Sequence, residues 1–131
     1  MPEQKTAERA RKAKREGKAP TTQAGEFVRE EIEHIRHGKH GARSAKQVIA
    51  IGLSKARRAG VDLPLPPKGR VSEMTRRSAE RSYQRGHGAV AGRPSTRRSR
   101  ATTAALKREG HRAATKVALS RHARSGRRKA A

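Results

Sequence analysis

Residues 44–60 read S-A-K-Q-V-I-A-I-G-L-S-K-A-R-R-A-G, and this stretch carries every signal of a helix from start to stop. Ser44 followed by Gln47 is a capping-box pattern, in which two side chains satisfy free amides at a helix start. Small and apolar residues then recur at steps of three and four, the period of one helix face: Ala45, Val48, Ile49, Gly52, Leu53 and Ala56. Cations crowd the last turns, where they favour the negative end of the helix dipole, and Gly60 suits the left-handed turn that ends a helix. The stretch predicts a helix whose broad apolar face needs neighbouring segments, or a second copy of the chain, to cover it.

The flanking sequence supplies two candidate neighbours. Before the helix, residues 23–37 place apolar side chains on one helical face, with Phe27 at its edge. Residues 37–43 form a glycine-containing loop, so the two helices make an αα-hairpin. After the helix, the prolines of residues 61–68 force an extended path, and we expect the alternating Val61, Leu63 and Leu65 to lie across the hairpin. The loop is too long and the second helix too apolar for a helix-turn-helix, so that motif is disfavoured.

Glu31 falls within the apolar arc of the earlier helix, an unusual place for a carboxylate. Buried charges are rare, so we expect Glu31 at the rim of the core with its head group in water. The alternative is a pairing with a cation across the helix contact.

Residues 46–60, K-Q-V-I-A-I-G-L-S-K-A-R-R-A-G, resemble the signature helix of a family of small, basic, functionally uncharacterised bacterial proteins. The preceding T-Q-A-G-E-F-V-R-E-E-I and H-G-K-H-G-A-R resemble longer members of that family. The resemblance covers about the first half of the chain and implies a bacterial cytoplasmic protein without a defined chemistry. The Ala-, Arg- and Lys-rich C-terminal end resembles the tails of linker-histone-like proteins.

Composition limits the size of the core. Leu, Ile, Val and Phe make up 16 of the 131 residues, below the level of about one fifth under which a highly charged chain is suspected of disorder. Eleven of those 16 lie between Phe27 and Leu65. The predicted fold class is therefore all-α, a small helical hairpin core with extended, basic, largely disordered N- and C-terminal arms. The predicted division is an N-terminal arm over residues 1–21, a helical core over 22–67 and a low-complexity region with marginal helices over 68–131.

The charge balance points to a polyanionic partner. Lys and Arg number 34 against 11 Asp and Glu, a formal net charge of +23. Residues 1–70 hold 17 basic and 8 acidic side chains, and residues 71–131 hold 17 basic and 3 acidic. Such a charge opposes compaction and favours binding to nucleic acid. No long apolar run suggests a membrane partner, and the N-terminus lacks the pattern of a signal peptide, so we expect a cytoplasmic, nucleoid location.

The cations that we expect to contact phosphate share exposure-prone positions at helix ends and in the basic arms: Lys55, Arg57, Arg58, Arg76, Arg77, Arg97, Arg98, Arg100, Arg127, Arg128 and Lys129. Single-strand readout usually needs aromatic stacking, and the chain offers only Phe27 and Tyr83. The arginine-rich second half suits bidentate phosphate contacts on a duplex. The predicted function is sequence-nonspecific binding of double-stranded DNA, of the nucleoid-associated or histone-like kind.

Two alternatives stay open. One is an RNA-binding or ribosome-associated protein, which would share a small core and basic tails. The other is a protein-interaction module, in which the acidic helix and the apolar face of residues 44–60 form a homodimer or partner surface. Ser78 and Ser99 each follow two arginines and are weak candidates for phosphorylation.

Other chemistry is disfavoured. The chain has no cysteine, which excludes disulfides and thiolate metal sites. His34, His37 and His40 are closely spaced, but no carboxylate partner is evident at ligand spacing, so we expect solvent-exposed polar residues and no metal or other cofactor. Catalytic motifs are missing and the core is too small to shape a cleft, so an enzyme is not expected.

Overall fold

The computed structural model of the chain describes residues 4–88 and 96–130, with side chains up to residue 125. Over these residues the fold is all-α, as predicted, and the only sheet-like feature is an isolated bridge between Lys68 and Val71. The helices are α1 (Gln4–Arg15), α2 (Pro20–Arg36), α3 (Ala45–Arg58), α4 (Glu73–Gly86), α5 (Thr96–Arg108) and α6 (Lys116–Ala130), with a 3-10 turn at Arg112–Ala114.

The ends of α3 follow the local signals in the sequence. The Gln47 amide donates to Ser44 Oγ at 3.2 Å, and Gln47 Oε1 accepts the Arg43 amide at 2.6 Å. In a standard capping box the glutamine side chain would accept the amide of Ser44 itself, so here it bonds to the residue before the cap. Gly60 has φ +98°, and the amide of Val61 reaches back to the carbonyl of Ala56. This pattern is a Schellman turn, in which glycine avoids the strain of the left-handed conformation.

Pro20 begins a helix. It is the first residue of α2. Proline is well suited to this position, because its missing amide hydrogen would have no partner inside the helix.

The described residues fall into two compact units. Unit one comprises the described residues of Met1–Glu30 and Ile51–Gly92, and unit two those of Glu31–Ala50 and Arg93–Ala131. Composition predicts a different division, into residues 1–21, 22–67 and 68–131, and that division stays a prediction.

Phe27, only 1% exposed, lies at the centre of the unit-one core. The buried residues packed with it come from four segments of the chain: Ala10, Ala24, Ala56, Val61 and Leu63, with the partly buried Leu53 against them. The burial of Val61 and Leu63 confirms that the proline-containing segment closes this core.

Unit one also holds α1, which sequence reasoning left without an attachment. Ala10 belongs to the core, and Thr6 and Ala13 are buried beside it on the same helical face. The disordered arm predicted over residues 1–21 is therefore not confirmed for α1. Small side chains let a helix approach its neighbour closely, so large apolar residues are not required.

Unit two has a second, smaller core that includes the C-terminal half of the chain. Ile35, Ala42 and Val48 pack with Ala113 and Ala114, both next to α6. This alanine pair lies outside the core predicted over residues 22–67. The predicted disorder of the C-terminal arm is not confirmed over the described residues.

Backbone hydrogen bonds fasten the α2–α3 loop to the end of α5. The Gly41 amide donates to the Leu106 carbonyl at 2.8 Å, and the Ala42 amide donates to the Gly110 carbonyl at 3.0 Å. A Cβ at Gly41 would overlap the Glu109 carbonyl, so this close approach requires glycine.

Candidate nucleic-acid interface

Two of the predicted cations in α3 are engaged within unit one. Lys55 Nζ lies 3.6 Å from Glu30 Oε2. Arg57 is 6% exposed, and its Nη2 donates to the Pro64 carbonyl at 2.8 Å. Burial lowers the pKa of Arg57, because desolvation disfavours the charged guanidinium. Arg57 thus helps to hold the proline-containing segment against α3.

Arg58 differs from its neighbour. It is exposed, and its Nε reaches the Ser54 carbonyl one turn earlier at 3.4 Å. From the sequence alone, residues 55, 57 and 58 are three equivalent cations near the end of a helix. Only the packing of the following segment shows which of them faces the protein.

In α4, Arg77 is exposed and Arg76 is half-buried. Ser72 caps this helix, because its Oγ accepts the Thr75 amide at 3.2 Å. Tyr83 donates its hydroxyl hydrogen to Asp62 and stacks on His87 with ring centroids 3.9 Å apart. The aromatic ring that the sequence offered for base stacking is thus already occupied within the protein.

Helix α5 is the most exposed basic element that the structure describes. None of its residues is buried, and the span Thr96–Arg108 contains no acidic residue. Its exposed cations are the three predicted ones and two that sequence reasoning did not single out: Arg97, Arg98, Arg100, Lys107 and Arg108. The missed pair could have been found by applying helical periodicity to cations as well as to apolar residues.

Helical geometry gathers four of these cations on one face. At about 100° per residue, Arg97, Arg100, Lys107 and Arg108 fall within an arc of about 100°. The rise of 1.5 Å per residue spreads them over about 16 Å along the axis. These four cations, one pair near each end of the helix, form a basic strip on one face of α5.

Helix α6 continues the basic composition. Lys116, Arg121 and Arg124 are exposed, and Thr115 Oγ1 accepts the Ala118 amide at 3.2 Å near the start of the helix. The side chains of Arg127, Arg128 and Lys129 lie outside the described residues. Residues 96–131 together hold 12 basic side chains and one acidic, so the electrostatic potential over this region is strongly positive.

The apolar face of α3, proposed from sequence as a dimer surface, is largely used within the chain. Val48 and Ala56 have no exposed area. Ile49 and Ile51 remain half-buried. A homodimer through residues 44–60 stays a prediction, and it would have to use those two isoleucines.

A second group of polar residues lies in unit two, where two expectations are wrong. Glu31 is buried rather than at the rim, with its side chain 1% exposed. It faces His34 and His40, whose side chains are 14% and 16% exposed, while His37 is exposed to solvent. The carboxylate partner thought to be missing from the histidine group is therefore Glu31.

No protein-family model, curated protein or solved structure matches the chain. Within the described residues, no helix has both the length and the apolar character needed to cross a membrane.

Proposed function

We propose that this protein binds double-stranded nucleic acid, DNA in preference to RNA, through the phosphate backbone and without reading the base sequence. The observation that supports this most strongly is α5, a helix without a buried residue or an acid and with five exposed cations. Burial in a core does not account for the composition of this helix, because none of its residues is buried. On this proposal the protein acts as a nucleoid-associated protein of a bacterial cytoplasm.

The shape and chemistry of α5 suit a duplex. An α-helix with its side chains is about 10–12 Å across, close to the width of about 12 Å of the major groove. Arginine forms bidentate hydrogen bonds to phosphate, and the basic strip is long enough to contact several phosphates. α5 contains neither Asn nor Gln, the residues that read adenine, which favours backbone contacts over base readout.

Like charges along α5 and α6 repel one another in the free protein. Phosphates would neutralise that repulsion, so binding to a duplex should stabilise these two helices. Both helices belong to the C-terminal arm that the sequence predicts to be largely disordered, and this arm would contact the phosphates.

The test is a binding titration of full-length protein against a labelled DNA duplex across a salt series. If about a dozen phosphates are contacted, log K falls with log salt at a slope of about −10. The triple variant R97Q/R100Q/R108Q should reduce the magnitude of that slope by about 2.7, or about 0.9 for each lost contact.

The matched control removes the same charge from α1. Lys5, Arg9 and Lys12 are exposed on one face of that helix, and K5Q/R9Q/K12Q should change the slope by less than about one unit. Equal losses in the two triple variants would show that affinity follows net charge alone and that α5 is not the interface.

Two further outcomes would overturn the proposal. A flat salt response would exclude phosphate contacts as the source of affinity. Tighter binding to structured RNA than to DNA of equal length, at every salt concentration, would replace DNA by RNA as the partner.

A further inference from the structure

The turn after α2 brings a histidine back against that helix. Gly38 has φ +78°, its amide donates to the Ile35 carbonyl, and the Lys39 amide donates to the His34 carbonyl. This Schellman turn reverses the chain within two residues. It places His40, which lies outside the helix, beside Glu31.

Glu31 then faces an imidazole on each side. Its Oε2 lies 3.1 Å from His40 Nε2, and its Oε1 lies 3.5 Å from His34 Nδ1. Glu31 and His34 are three residues apart on α2, a spacing that puts both on one helical face and that holds metal ions in helix bundles. The three ligand atoms lie within 4.8 Å of one another.

The tautomer of His40 follows from its other nitrogen. His40 Nδ1 lies 2.9 Å from the Gly41 carbonyl oxygen, which can only accept, so Nδ1 carries a hydrogen. In neutral His40 the lone pair of Nε2 therefore points at the Glu31 carboxylate. A metal ion between His40 Nε2 and the Glu31 carboxylate, which lie 3.1 Å apart, would be bound by both groups.

We propose that Glu31, His34 and His40 form a binding site for a divalent transition-metal ion of the Zn²⁺ class. Two imidazoles and a carboxylate are a donor set that Zn²⁺ accepts, with bonds of about 2.0–2.2 Å. Neighbouring ligands of a tetrahedral Zn²⁺ are then about 3.3–3.5 Å apart, so the observed nitrogen–oxygen separations of 3.1 and 3.5 Å need to change by only a few tenths of an ångström. The Gly41 carbonyl supplies the outer-shell hydrogen bond that orients a metal-binding histidine.

The surroundings of these three side chains suit a metal ion with three protein ligands and one open coordination position. The carboxylate is buried, and both imidazoles reach the surface. An ion can therefore enter past the histidines, and water can take the fourth position. This site is distinct from the basic strip of α5, and the proposed function does not depend on it.

The test uses untagged full-length protein and the metals alone. Titration with Zn²⁺ should show one tight site per chain, and Co²⁺ in its place should give visible d–d absorption that Zn²⁺ abolishes. The variants E31Q and H40Q should each weaken Zn²⁺ binding by at least about 100-fold, more than the loss of an outer-shell partner causes. H37Q changes an exposed histidine three residues from His40 and should bind Zn²⁺ like the wild type.

Circular dichroism identifies variants that fail to fold. If E31Q loses helicity, H34Q and H40Q decide the question, because their side chains lie nearer the surface. Wild-type protein without a Co²⁺ band, or equal losses in H37Q and H40Q, would overturn the proposal and leave a histidine–carboxylate ion pair held by a proton. Duplex binding by H40Q should equal that of the wild type, which keeps this proposal separable from the proposed function.

Discussion

The contact between Gly52 and Val28 is a close approach of α3 to α2 in unit one, and it allows a quantitative prediction. A Cβ on Gly52 would lie 2.6 Å from Val28 Cα, 2.8 Å from Val28 Cγ2 and 2.9 Å from the Val28 nitrogen. Two of these atoms are backbone, so no side-chain rotation relieves the overlap. The two helix segments must move apart, and the core beside them must repack.

The substitution G52A should therefore destabilise the protein. Overpacking costs about 1–3 kcal/mol, and a clash with backbone places the cost near 3. Alanine regains about 1 kcal/mol of helix propensity over glycine. The net loss is about 2 kcal/mol.

Gly25 provides the matched control. It also lies inside a helix, is exposed, and has no atom within 4 Å of an added Cβ. G25A should therefore stabilise the protein by about 0.5–1 kcal/mol through helix propensity. The same chemical change thus has opposite signs at two helical positions.

Thermal unfolding of the full-length protein, followed by circular dichroism, measures both effects. For a chain of this size 1 kcal/mol corresponds to about 4 °C, so G52A should lower Tm by about 8 °C and G25A should raise it by about 3 °C. A G52A protein as stable as the wild type would refute the close approach at Gly52. A destabilised G25A protein would refute the exposure of that face of α2.

Two further predictions concern polar groups of unit one. The hydrogen bond to Asp62 raises the pKa of Tyr83, because it stabilises the neutral phenol. The native state therefore holds this proton more tightly than the unfolded chain, so the stabilisation is present below the ordinary tyrosine pKa and is lost as pH rises through the folded-state pKa. The chain has one tyrosine and no tryptophan, so tyrosinate absorbance follows this group alone, and D62N should lower its midpoint; an unchanged midpoint would contradict the assignment. R57A should cost about 1.5–3 kcal/mol through loss of the charged hydrogen bond to Pro64, while R58A should stay within about 0.5 kcal/mol. Equal Tm values for these two variants would show that Arg57 is not structural.

The metal and nucleic-acid proposals rest on different kinds of observation. The basic strip of α5 depends on charge and exposure, which helical periodicity supplies once the helix is known. The Glu31 site depends on a reversal of the chain that brings His40 back to α2. The basic strip could be predicted from the sequence in outline. The Glu31 site could not be predicted from the spacing of residues along one helix.

Local signals in the sequence determined the elements of the first half of the chain. Ser44 and Gln47 cap α3, Gly60 ends it, and Val61 and Leu63 are buried as their alternation predicts. These features depend on interactions between residues a few positions apart, or on the burial of large apolar side chains. Both kinds of information are present in a short window of sequence.

Tertiary structure alone decided the features that depend on contacts between distant residues. Ala10 joins α1 to the core, and the Gly41 amide donates to the Leu106 carbonyl. Ala10 and Gly41 have no large apolar side chain that would indicate these contacts. Glu31 is buried because His40 returns to it after the loop. Small residues that pack closely and backbone groups that form hydrogen bonds leave no periodic pattern in a sequence. The stabilisation they give depends on a partner residue that is distant along the chain. The sequence determined which segments are helices, and only the fold determined which charges are exposed and which are paired inside.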